Sequence, residues 1–62
     1  MSKLAEIATR RRIARLESQA QRIRNRLASA WDRGCSEEVI HRLEESLRDR
    51  WKMLDRVRQY LH

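Results

Sequence analysis

The chain has 62 residues, 39% of them charged and 40% hydrophobic, with a net charge of +6, one glycine, one cysteine and no proline. That length excludes a second domain of ordinary size, one cysteine excludes an internal disulfide framework, and no apolar run is long enough to span a membrane. Few aromatic residues among many charges is the composition of long helices, not of a globule.

Ser2 is placed to cap a first helix expected over about residues 3–33. Leu4, Ile7 and Ala8 form a small apolar patch near its start. Residues 1–8 should overhang the second helix, there to fray or to dock on a second subunit or a partner. From Ile13 the apolar residues follow a 3–4 alternation through Leu16, Ala20, Ile23, Leu27 and Ala30, which makes one seam.

The same helix is dense in arginine. Residues 1–34 hold nine Lys or Arg against three Asp or Glu, and residues 35–62 hold six of each, so the whole net charge rests on the first helix. Arg11, Arg15, Arg22, Arg26 and Arg33 are spaced 4, 7, 4 and 7 apart. They form a row about 33 Å long, expected to face directly away from the seam. Arg10, Arg12 and Arg24 flank it, and Ser18, Asn25 and Ser29 interleave as neutral donors. Guanidinium forks grip phosphate at two points, and released counterions drive binding. The row has no aromatic residues for base stacking, so backbone or shape recognition is expected, with RNA ahead of DNA.

Residues 34–36 read as a turn. Gly34 can take the left-handed conformation that closes a helix, Ser36 is a good N-cap, and Glu37 and Glu38 set negative charge on a new helix dipole. A second helix follows over about residues 37–60. Its seam is Ile40, Leu43, Leu47, Leu54, Val57 and Leu61, with Arg50 in the missing place. At about 100° per residue, one unbroken helix would put the two seams on nearly opposite sides. Reversal at Gly34 brings them together. The expected fold is therefore all-α, an antiparallel hairpin pairing Leu27 with Leu43, Ile23 with Leu47, Leu16 with Leu54 and Ile13 with Val57, and small Ala20 with bulky Trp51.

One seam seldom offsets a backbone entropy cost of about 1–2 kcal/mol per residue. The second helix is apolar beyond its seam, with Val39, Met53 and Tyr60 on one flank and Trp51 on the other. Together with Leu4 and Ile7, these are the candidate interface residues of a homodimeric four-helix bundle. Arg50 should either reach water or pair with Glu17, the acid nearest its level on the facing helix. Glu44 with Arg48, and Glu45 and Asp49 with Lys52, stand at spacings that favour exposed ion pairs.

Nothing in the chain has the pattern of catalysis. His41, His62 and Cys35 lack zinc-ligand spacing, so neither metal nor cofactor is expected. Glu37, Glu38, Glu44 and Glu45 are capping and pairing residues, and the protein is expected not to be an enzyme. A lone thiol and the lack of a long apolar segment point to the cytoplasm.

In build, length and basic first helix the chain resembles the small plasmid-encoded Rop regulators, whose hairpins dimerise into a four-helix bundle that holds paired RNA loops. Gly34, Ser36, Glu37, Glu38, Val39 and Ile40 also resemble the turn of aspartyl-phosphate phosphatase hairpins. Those carry a Ser-Gln-x-Leu-Asp signature on the second helix. Here the place reads Glu44-Glu45-Ser46-Leu47-Arg48, with arginine where the acid belongs. In shape the chain is similar, too, to the hairpin co-chaperones of type III secretion. The expected function is a non-enzymatic regulator binding RNA or DNA backbone through the arginine row. The alternative is a protein–protein adaptor, inhibitor or co-chaperone with an acidic or helical protein partner, whose acidic surface would meet the arginine row or whose helix would dock on the apolar flank.

Overall fold

The computed structural model describes residues 2–61. Two helices, α1 (Lys3–Arg33) and α2 (Glu37–Gln59), pack against each other as a hairpin. The molecule measures 48 × 14 × 12 Å, and the long axis is set by α1, since 31 residues at 1.5 Å each span about 46 Å.

Local chemistry sets both helix starts and the reversal. The Ser2 hydroxyl accepts from the Ala5 N–H at 3.2 Å, and the Ser36 hydroxyl accepts from the Val39 N–H at 3.4 Å. Each satisfies one backbone donor that the first helical turn leaves without a partner. Gly34 has φ 69° and ψ 37°, in the left-handed region. Its N–H donates to Trp31 O at 3.2 Å, and the Cys35 N–H donates to Ala30 O at 3.0 Å, which caps the last carbonyls of α1. A Cβ at Gly34 would meet nothing within 4 Å, so only backbone strain opposes a larger residue there. Gly34→Ala is therefore expected to destabilise the hairpin by about 1–2 kcal/mol. A urea midpoint equal to that of the parent chain would contradict this.

The core is narrow. Leu16, Leu54 and Val57 form its main cluster, with Ile13 packed against it. These four follow the register that pairs Leu16 with Leu54 and Ile13 with Val57. Ala20, Ala30 and Ile40 are also buried, while Ile23, Leu27, Leu43 and Leu47 stay half-buried along the same seam. Open flanks on both sides leave those four residues partly wet. Among the described residues, no helix is long and apolar enough to cross a membrane.

The exposed ion pairs differ from those expected. Glu6 meets Arg10 at 3.1 Å, Glu38 meets Arg42 at 3.0 Å, and His41 meets Glu45 at 3.0 Å. Pairs of Glu44 with Arg48 and of Glu45 or Asp49 with Lys52 do not form among the described residues. Each of these three contacts joins exposed side chains four residues apart, where competing partners differ by only a few tenths of a kcal/mol.

Candidate functional site

All five arginines of the row, Arg11, Arg15, Arg22, Arg26 and Arg33, are exposed. Among the described residues none has a carboxylate within salt-bridge distance, whereas neighbouring Arg10 is held by Glu6. The row thus carries positive charge that the fold itself does not neutralise. Of the interleaved neutral residues, Ser18 is exposed and Ser29 half-buried. The Asn25 side-chain oxygen accepts from the Gln21 amide at 3.1 Å, which leaves the Asn25 amide protons to donate elsewhere.

The row does not point straight away from the seam. At about 100° per residue it lies roughly 120° round α1 from the apolar stripe, which brings it down one flank of the hairpin. Arg22 and Arg26 line a groove there with Gln19 and Ile23 of α1 and Leu43, Ser46 and Arg50 of α2.

Of the two outcomes open to Arg50, the pair with Glu17 does not form: Glu17 is turned to the opposite flank, where it accepts from Arg58 Nη2 at 3.4 Å. Residue 50 occupies a seam position from which a long side chain can leave by either flank, and it lines the groove of Arg22 and Arg26. Its Nε is buried and has no hydrogen-bond acceptor among the described residues. An unsatisfied buried donor costs about 1–3 kcal/mol, and an apolar side chain of similar volume removes that cost. Arg50→Leu, which completes the apolar seam, is therefore expected to raise stability by about 1–3 kcal/mol. An increased urea midpoint with an unchanged slope is the sign to look for, and a fall would mean that the guanidinium supports the seam.

The candidate interface residues are exposed as a set: Leu4 is 80% accessible, Tyr60 70%, and Ile7, Val39, Trp51 and Met53 between 42% and 47%. They do not share one face. Val39, Met53 and Tyr60 stand at sevenfold spacing with Ser46, on the flank of the arginine groove. Trp51 lies on the other flank, in a groove with Glu17, Gln21, Arg24 and Arg58. Sequence reasoning passed over Trp31, which is 62% exposed and stands beside Glu37, Glu38, His41 and Glu44. It falls one place after Ala30, just off the apolar alternation. The size of the side chain was the only signal.

The groups considered for chemistry are dispersed. Cys35 is half-buried with its thiol unbridged, His41 is exposed against Glu45, and His62 lies outside the described residues. Among the described residues no three His, Cys, Asp or Glu side chains gather as metal ligands would. No protein-family model, curated protein or solved structure matches this chain.

Proposed function

We propose that this protein is a small non-enzymatic regulator that binds the backbone of RNA or DNA through Arg11, Arg15, Arg22, Arg26 and Arg33, and that it acts as a homodimeric four-helix bundle. The observation carrying the first part is a row of five exposed guanidinium groups with no acid among the described residues to neutralise them. Its length of about 33 Å is close to one turn of duplex. The test is binding of a short RNA duplex and a DNA duplex across a salt series. Affinity should fall linearly in log–log form as salt rises. Indifference to both nucleic acids at low salt would reject the reading.

Surface area supports the dimer. The hairpin exposes 5383 Å², against about 4,300 Å² for a compact monomer of this mass. The excess of roughly 1,000 Å² is what one partner gives up in an interface of ordinary size, about 800 Å² or more. The flank with Trp31 and Trp51 suits a second copy. Glu37, Glu38 and Glu44 stand near its turn end, and at its open end a groove is lined by Ile13, Ala14 and Leu61 beside Arg10, Glu17 and Arg58, whose charges are paired within the chain. A two-fold partner seated on this flank would bury both indoles. The arginine flank would stay outward. Sedimentation of the purified protein should give twice the chain mass, and Trp31→Glu with Trp51→Glu should give a monomer. A parent chain that sediments as a folded monomer would remove this part of the proposal.

A second reading, an adaptor or co-chaperone that receives a partner helix, is favoured by Val39, Met53 and Tyr60, which such a dimer leaves open to solvent. Met53→Ser or Tyr60→Ser would then abolish partner capture and, adding no charge beside the arginine groove, leave nucleic-acid affinity unchanged.

A further inference from the structure

The groove of Arg22, Arg26 and Arg50 differs in composition from four other grooves along the hairpin. Each of those carries at least one carboxylate: Glu17 in two, Glu44 in another, and Glu37, Glu38 and Glu44 in the fourth. The arginine groove has none. Its polar lining is three guanidinium groups, the Gln19 amide and the Ser46 hydroxyl, over an apolar floor of Ile23 and Leu43. Every polar lining side chain can donate a hydrogen bond.

Two features make this lining incomplete without an anion. Arg22 and Arg26 are one turn apart on the same face, where like charges repel. Arg50 Nε is buried with no acceptor among the described residues. An oxyanion between Arg22 and Arg26 would relieve the repulsion, and the Arg50 side chain borders the same groove. Water would leave that repulsion in place.

We infer that this groove is a phosphate-binding site, in which one phosphate group of a bound nucleic-acid backbone is held between Arg22 and Arg26 of α1 and Arg50 of α2. The inference rests on the nucleic-acid reading above and names where on that surface the backbone is gripped. It adds a residue from the second helix, so the site exists only when the hairpin is closed. Occupied, it clamps α1 to α2 at mid-length and couples backbone binding to hairpin stability. The apolar floor excludes water from one side of the anion, which strengthens each charged hydrogen bond relative to those at Arg11 or Arg33.

The site can be probed with inorganic phosphate alone. The Nε–H resonances of the arginines would be followed by NMR while phosphate replaces chloride at constant ionic strength. Saturable shifts of Arg50, Arg22 and Arg26 are expected, with Arg11 and Arg33 moving only in proportion to phosphate. Phosphate should also raise the melting temperature of the parent chain more than that of Arg50→Leu, whose own melting curve without phosphate shows that it is folded. With RNA duplex, Arg50→Leu should lower the salt slope by a part of one phosphate contact, whose full value is about 0.9. Uniform, unsaturable shifts of all arginines would overturn the site, and so would an unchanged salt slope in Arg50→Leu. Saturable phosphate shifts in a protein that ignores RNA and DNA would keep the site and reject the nucleic-acid reading.

Discussion

Leu54→Ala is expected to cost about 2–5 kcal/mol and to leave much of the chain unfolded in buffer. Among the described residues Leu54 is the one large side chain with no accessible surface, and it packs in the cluster of Leu16 and Val57. Truncation removes its transfer free energy and opens a cavity that two rigid helices cannot collapse around. A domain this small has on the order of 3–5 kcal/mol from one core, so the loss is most of the total. Urea denaturation followed by circular dichroism measures it. Leu47→Ala, at a half-buried seam position, should cost clearly less. A loss below about 1 kcal/mol at Leu54 would mean that the stabilising contacts lie elsewhere.

Arg15→Gln with Arg22→Gln is expected to weaken binding to duplex RNA about 100-fold near 0.1 M salt. A hydrogen bond to a charged group contributes about 1.5–3 kcal/mol, and 1.4 kcal/mol is tenfold in affinity. The salt slope should fall by between about 0.9 and 1.8, one phosphate contact for Arg15 and a part of another for Arg22, which shares its phosphate with Arg26 and Arg50. Both side chains are exposed, and among the described residues neither is paired with an acid. Their loss should therefore change stability by no more than about 0.5 kcal/mol, which keeps a binding defect distinct from a folding defect. Arg56→Gln is the matched control, because Arg56 is exposed on α2 and, among the described residues, is paired with no acid. Equal losses per arginine for Arg56 and for the row would indicate a diffuse effect of net charge, and the row would have no special part.

These two variants divide along the same line as the legibility of the chain. Leu54 could be named from the sequence because its burial follows from helical phase. Six apolar positions on each side of Gly34 can meet only if the backbone reverses, and the register then follows from the turn. The arginine row was visible for the same reason: spacing on a helix is a local property. Its direction was less so, since a row 120° from the seam becomes a groove wall only once a second helix stands beside it.

The sequence by itself determined the two helices, their caps at Ser2, Ser36 and Gly34, and the pairing of Leu16, Leu54, Ile13 and Val57. These depend on backbone geometry and apolar periodicity, and both repeat along the chain. Only the tertiary structure decided which flank Arg50 leaves by, that Glu17 meets Arg58, and that Trp31 stands open to solvent. A long side chain at a seam position has two exits at similar cost, and its choice depends on neighbours from the other helix, which no spacing within one helix encodes.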